Sequence, residues 1–389
     1  MWFWIFYSLL VFLFLGYAGV LIYLRLGLNR ANFVQDDQIY PSVSVVVCAH
    51  NEQKNLPACL NLLDNQQYPM DKLEFIIVND RSSDRTEEIL QSFTEQRANF
   101  HFLSIRDRLP FFAPKKRAID TAVKQAQGDI ILLTDADGRP GPQWVKSMVQ
   151  YFTPDTDMVI GYAPYQVKPS GHKIKKILAL EYFSHAAVAC ATTGLNYPVT
   201  CVGTNMAYRK PLYLDLDGFG PYKNRISGDD DLFLTRVREC GNHTIKYAVD
   251  HKTHVYNNPP ALWSKFIHQR VRYASKGFDY PIQVTLALIA LYMFNVLMVA
   301  GLAALFLNWT VFVYTLPLFL MKGLMEFRFL NKASRMLCDR RYLHYFPVAA
   351  ILHLPYVVAF GLLGQILNYQ WAASAKHTKL EKTIPEEVL

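Results

Sequence analysis

The sequence predicts an α/β domain, with a mostly parallel sheet covered by helices on both faces, carried on transmembrane helices. Three observations lead there. Between Val43 and Thr134, short apolar and β-branched runs alternate with helical patterns, the order that builds a parallel sheet. The polar clusters of that stretch fall just after the strand runs, at the edge where such sheets bind ligands. Long apolar blocks fill both ends of the chain.

Residues 2 to 24, WFWIFYSLLVFLFLGYAGVLIYL, contain no charge and exceed the ~20 apolar residues that a crossing needs. A cleaved signal peptide is the rival reading. No basic stretch precedes the run and no small-x-small site follows it, so an uncleaved anchor over 1–25 is expected. Two further apolar blocks, about Pro281 to Phe327 and Phe346 to Leu367, give about three crossings within 281–368, with a reversal around Asn308 and Trp309. The second block either crosses or forms a re-entrant pair around Pro355. Arg25 and Arg30 follow the first span, while Arg328, Lys332, Arg335, Arg340 and Arg341 fill a later loop. The positive-inside rule puts both on the cytoplasmic side, together with the central region. The expected location is an integral membrane protein with a cytoplasmic catalytic domain, in the inner membrane if the source is bacterial. Lys376, Lys379 and Lys382 in the polar tail 369–389 sit awkwardly with a last crossing.

A tether is expected over 26–42, then the domain over 43–255. VSVVVC (43–48) is too short for anything but a buried strand. A helical pattern follows from Gln53 to Asn65, then the strand FIIVN (75–79) and a helix opened by Ser83 or Asp84. HFLSI (101–105) is a third strand, KKRAIDTAVKQAQ (115–127) a helix closed by Gly128, and DIILLT (129–134) a fourth strand. The stretch from about 150 to 255 is less regular. Residues 256–280 hold an amphipathic helix, with Trp263, Phe266, Ile267, Val271 and Ala274 on one side and Lys265, Gln269, Arg272 and Lys276 on the other.

The net charge of +8 is explained by anionic lipid headgroups or a phosphorylated substrate, and nucleic acid is not expected as a partner. Six cysteines form no C-x-x-C pair or zinc spacing, which fits a reducing compartment.

Three acidic groups stand out. Asp135 and Asp137 in TDAD can hold a hard divalent cation that also takes diphosphate oxygens, or can cap the helix near 143–151. Asp80 can accept hydrogen bonds from a base or ribose, or can serve as a turn residue. Asp229, Asp230 and Asp231 can occupy a helix N-terminus or supply a general base. His50, His254 and His268 lie near motifs but carry no assigned role, since a lone histidine is more often structural.

The order Ala49-His50-Asn51-Glu52, Asn79-Asp80-x-Ser-x-Asp84, Lys115-x-x-Ala-Ile, Thr134-Asp135-Ala-Asp137, Gly203-Thr204-Asn205, Asp229-Asp230 and Gln269-x-x-Arg272-Tyr273 resembles the family 2 glycosyltransferases across about 43–277. The resemblance implies a GT-A type fold, a nucleotide-sugar donor, and Mg²⁺ or Mn²⁺ as cofactor. Asp80 would bind the base, Asp135 and Asp137 the metal, and Ala49, Glu52, Lys115, Asp135, Gln269 and Arg272 the donor. Gly203, Thr204, Asn205 and Tyr273 would meet the acceptor. Tyr273 stands where the family usually has tryptophan, which implies altered acceptor preference. The family base is the aspartate of a Glu-Asp pair. Matching Asp229-Asp230 to that pair brings Arg236 to the family's basic position, so Asp230 is the expected base and Asp229 comes second.

The implied reaction is inverting hexosyl transfer to a hydroxyl, a membrane lipid being favoured over the end of a growing polysaccharide. A processive synthase would need more spans, a second copy or a secretion partner. A non-catalytic nucleotide-sugar scaffold would lack Asp137 or the acidic triplet, and both are present. A transporter would need more intramembrane polar groups than Lys322, Asn295 and His353.

Overall fold

The computed structural model describes residues 2–31, 40–260, 263–275 and 282–367. The tail 369–389 and parts of the expected tether and amphipathic helix lie outside them. Two compact units emerge, one of residues 22–259 and 329–344, the other of residues 1–21, 260–328 and 345–389.

The first unit is built on a seven-stranded sheet. Its first half is parallel: β1 (Val43–Ala49) lies between β2 (Leu73–Asp80) and β4 (Ile130–Asp135), with β3 (Phe100–Ile105) outside β2. Apart from Cys48, which is half-buried, every residue of β1 is buried, as a central strand covered on both faces requires. Val43, Val45 and Val47 pack with Leu56, Leu60 and Leu63 of helix α2 (Leu56–Asp64), and the Phe75 and Phe100 rings stack 4.3 Å apart. Each such side chain contributes roughly 1.5–3 kcal/mol on full burial. Helix α3 (Thr86–Thr94) follows β2. Helix α4 (Pro114–Gln125) ends three residues before Gly128. Gly128 is therefore no helix terminator. A Cβ there would sit 2.4 Å from the Ser44 amide nitrogen, so the residue lets two strand starts lie side by side.

The second half departs from this order. Strand β7 (Met206–Arg209) runs antiparallel to β4 and to β6 (Met158–Gly161), which pairs in parallel with β8 (Ile245–Ala248). A two-residue pairing of β5 (Arg139–Pro140) with β9 (Val255–Tyr256) stands apart. Helix α5 (Trp144–Val149) packs a fully buried Trp144 into the main core. Helix α6 (Lys173–Gly194) is the longest in this unit, followed by α7 (Lys210–Asp215) and α8 (Asp231–Glu239). The boundary at 43 also moves. Helix α1 (Trp2–Arg30) runs through the start of the expected tether, and residues 22–30 and 329–344 belong to the sheet-bearing unit.

In the other unit, α10 (Ile282–Ala303), α11 (Trp309–Met336) and α12 (Phe346–Ile366) follow α9 (Trp263–Ser275). Among the described residues four helices are long and apolar enough to cross a membrane, Trp2–Arg30, Ile282–Phe306, Trp309–Met336 and Leu343–Ile366. The last is one continuous helix through Pro355. Leu10, Phe14, Phe294, Met298, Leu318 and Leu354 form the shared interior. Lys322 is buried there and pairs with Glu326 at 2.6 Å, and Glu326 also accepts from the Tyr17 hydroxyl. Ion pairing turned inward is how charges persist in hydrocarbon.

Candidate active site

The parallel strands deliver their polar residues to one edge. Asn51 and Arg81 adopt left-handed φ values of 56° and 53°, where each chain turns away from β1 or β2. The two turns then zip together. Asn51 Oδ1 accepts from the Ser83 amide at 2.8 Å, the Glu52 amide donates to Thr86 Oγ1 at 2.8 Å, and the Gln53 amide donates to Asp84 at 3.2 Å. Asp84 is thereby a structural member of its motif. Asp80 is buried, and adjacent Arg81 clamps both its oxygens, Nε at 2.7 Å and Nη2 at 3.1 Å. That bidentate partner was missed in the sequence because neighbouring residues on a strand normally face opposite ways; the left-handed turn folds Arg81 back.

The central feature is Lys115, near the N-terminus of α4. Its ammonium lies 2.7 Å from Asp135 and 2.7 Å from Asp229. Burial pulls its pKa down, but the two carboxylates outweigh burial and hold it well above the ordinary lysine value. The other Asp135 oxygen accepts from the Thr204 hydroxyl. Asp230 caps α8, taking the Asp231 amide at 2.7 Å, and its second oxygen takes the Gly203 amide at 3.3 Å. Asp135, Lys115, Asp229, Asp230, Gly203 and Thr204 thus form one cluster.

Asp137 follows on the turn beyond β4. Burial, then Asp135, then Glu52 push its carboxyl up to about 6, and no lysine or arginine among the described residues pairs with it. Glu52 holds the Asn55 amide at 2.8 Å. No group of three or more histidine, cysteine or acidic side chains is arranged to hold a metal among the described residues. The donor set nevertheless fits a hard cation that draws its remaining ligands from substrate phosphates, because such ions are held by one or two carboxylates plus phosphate. Cys59, whose thiol donates to the Asp135 carbonyl at 3.7 Å, is pushed by burial up to about 12. It is protonated and inert at neutral pH.

One expectation changes. Asn205 does not face the cleft. It is fully buried, its Oδ1 accepts from Trp144 at 3.0 Å, and its amide donates to the Tyr162 and Thr253 carbonyls at 2.8 Å each. Gln269, Arg272 and Tyr273 lie on α9 in the other compact unit, where the Arg272 guanidinium stands 5.4 Å from the Tyr273 ring centre. On that helix Phe266 and Val271 are buried as expected, whereas Trp263 is 62% exposed.

Lys116 was not anticipated. It is fully buried beside Lys115, and its ammonium donates to the Tyr222 and Ser227 carbonyls at 2.7 and 3.1 Å. It fixes the loop that delivers the acidic triplet. His254 is also structural. Burial lowers its pKa to about 4, and its ring meets Tyr162 edge-on.

The fold is of GT-A type. Residues 44–216 match the family described as Glycosyl transferase family 2, and that stretch is a family 2 glycosyltransferase domain. The glycosyltransferase YdaM of Bacillus subtilis is 26% identical over 72% of this chain and 65% of its own length. The glycosyltransferase AglE of Haloferax volcanii is 25% identical over 54% of this chain and 65% of its length. A β-monoglucosyldiacylglycerol synthase of Synechocystis is 32% identical over 30% of this chain and 24% of its length. The chain therefore spans less than two-thirds of each of these relatives. Among solved structures, the mannosyltransferase PcManGT of Pyrobaculum calidifontis, in complex with GDP-Man and Mn²⁺, superposes with TM-score 0.56. It shares 18% identity over 93% of this chain and 98% of that one.

Proposed function

We propose that this protein is a membrane-bound, inverting hexosyltransferase that moves a sugar from a nucleotide sugar, UDP-linked in the first instance, to a hydroxyl acceptor. The observation that carries the reading is the double ion pair of Lys115, which joins the Asp135–Asp137 turn to the Asp229–Asp230 turn. Transfer needs a charge-stabilised diphosphate on one side of the sugar and a base on the other.

In this reading Asp80 and Arg81 line the base pocket with Ala49 and Glu52. Asp137 and Asp135 would hold Mg²⁺ or Mn²⁺. When bound, the cation neutralises charge on the leaving diphosphate. Lys115 supplies a second positive charge beside it. Asp230 takes the proton as the acceptor oxygen attacks C1 and the bond from C1 to the diphosphate breaks, inverting the anomeric centre. The Asp231 and Gly203 amides hold the Asp230 carboxylate in place for that proton. Gly203 and Thr204 would form the acceptor side of the site.

A lipid acceptor is favoured. Relatives include a diacylglycerol glycolipid synthase and a dolichyl-phosphate glucosyltransferase. The four candidate spans, with Arg25 and Arg30 at the end of the first, Arg335 at the end of the third and Arg340 and Arg341 between the last two, favour a cytoplasmic catalytic unit by the positive-inside rule.

The test uses the full chain in lipid with a panel of UDP- and GDP-sugars and Mg²⁺ or Mn²⁺, comparing wild type with Asp230→Asn. Turnover by wild type alone is expected. If no donor is turned over or hydrolysed, or if the variant equals wild type, the mechanism is wrong; a ladder of oligomers would replace single transfer by processive synthesis.

A further inference from the structure

The start of α6 has no part in the proposed chemistry, yet it is strongly basic. Lys168, His172, Lys173, Lys175 and Lys176 fall within nine residues, and no aspartate or glutamate occurs from 158 to 180. Lys168, Lys173 and Ile174 are exposed, and Ile177 is half-buried beside them. Lys176 donates to the Pro169 carbonyl at 2.7 Å.

Two contacts inside the catalytic unit locate this surface. Near its C-terminus α6 meets the end of α1 backbone to backbone. A Cβ on Gly27 would lie 2.0 Å from the Ala191 carbonyl oxygen, and one on Gly194 would lie 2.1 Å from that of Gly27. Nearer its start, Ala179 and Tyr182 pack with Tyr165 and with Tyr342, whose hydroxyl donates to the Val167 carbonyl at 3.3 Å. Gly27 lies in the last turn of one candidate span, and Tyr342 belongs to the short connection between two others. At ~1.5 Å per residue, α6 is roughly 33 Å long, and it is pinned at both of these membrane-proximal points.

We propose that the Lys168–Lys176 surface docks on anionic phospholipid headgroups. The ends of α1 and α11 belong to this unit at residues 22–30 and 329–336, so a bilayer that those two helices cross would meet the unit beside the two contacts, and the lysines alternate with Ile174 and Ile177 as a headgroup layer favours. Each lysine beside an anionic surface raises occupancy roughly fivefold, so three raise it about a hundredfold. The contact reaches the cleft: Val202, next to Gly203, packs on the same Tyr165–Ala179–Tyr182 cluster. Seating of α6 on lipid therefore steadies the acceptor side of the site.

The experiment reconstitutes the full chain in nanodiscs of phosphatidylcholine alone or mixed with phosphatidylglycerol. A polarity-sensitive fluorophore is placed at Ile174→Cys, with Cys240→Ser and Cys338→Ser removing the exposed thiols. A blue shift and quenching by headgroup-labelled lipid are expected only with phosphatidylglycerol. Both should disappear in Lys173→Gln/Lys175→Gln/Lys176→Gln and persist in the triple arginine variant, which controls for folding. Equal signals in the two lipids, or a signal indifferent to the glutamine substitutions, overturn the proposal, as does a shift that persists in detergent without lipid, which would mark contact between copies. The activity arm rests on the transferase reading: phosphatidylglycerol should raise transfer about threefold or more in wild type and leave the glutamine variant unchanged. A fluorescence response without any transfer sinks the transferase reading alone; transfer without a response sinks the docking alone.

Discussion

The two halves of the sheet contribute opposite sides of one site and are built by different rules. β1 to β4 run parallel, and their polar residues arrive as loops leaving the strands. β6, β7 and β8 are four residues each, and Gly203 and Thr204 lie on a segment entering an antiparallel strand. The parallel half carries Asp80, Asp135 and Asp137; the second half carries Gly203, Thr204, Asp229 and Asp230. Lys115 bonds to carboxylates of both. On the proposed mechanism a site split this way separates charge stabilisation from proton removal, and substitutions on either side should separate too.

The sharpest break falls on the second half. Asp230→Asn should lower transfer about a thousandfold, roughly 4 kcal/mol in the barrier, while donor binding by calorimetry stays near wild type. A larger loss in Asp229→Asn would move the base to that residue. Severing the link comes next. Lys115→Met leaves two carboxylates without their shared cation and should cost about 3 kcal/mol, the low end for a stripped buried pair because the partners keep some solvent. Thermal unfolding in lipid measures it, and an unchanged midpoint would show that the halves hold together without Lys115.

Asn205→Ala tests whether that residue is scaffold or contact. Losing bonds to Trp144 and two buried carbonyls should cost about 2 kcal/mol of stability without altering the acceptor KM. A changed KM at full stability would return Asn205 to the acceptor. The smallest effect concerns the first half. Because Asp137 titrates near 6, protons compete with divalent cation below that pH, and half-saturating Mn²⁺ should rise about tenfold per pH unit. The stability sign is opposite: the raised folded-state value means protonation of Asp137 stabilises the fold fully below about 4, a contribution lost as pH rises through about 6. Chelation should abolish the activity at pH 7.

The parallel half was legible because its signal is local. Runs such as VSVVVC and FIIVN are buried on both faces and cannot hide their pattern, and the acidic residues stand just beyond them. The second half resisted for the same physical reason in reverse. Four-residue strands carry too few residues to establish a period, and nothing local in MAYR declares antiparallel pairing. Asn205 was misjudged because a polar residue beside Gly203 and Thr204 resembles a cleft residue until its three buried partners are seen. Lys115 and Lys116 look alike in sequence, yet a helical step of 100° sends one to the carboxylates and the other to the carbonyls beneath them.

The reversal at β7 has a consequence for how such a protein can change over generations. Loops leaving β1, β2 and β4 are fixed to one another by the zipped hydrogen bonds between the first two and by the ladder of parallel neighbours, so an insertion in one disturbs the others. The segment entering β7 comes from the opposite direction and is held at its inner end by Asn205, by Thr204 bonded to Asp135 and by Gly203 bonded to Asp230. Upstream of those anchors its length and composition can drift while the rest of the sheet stays in register, so that on the proposed reading new acceptors can be recognised without rebuilding the donor side.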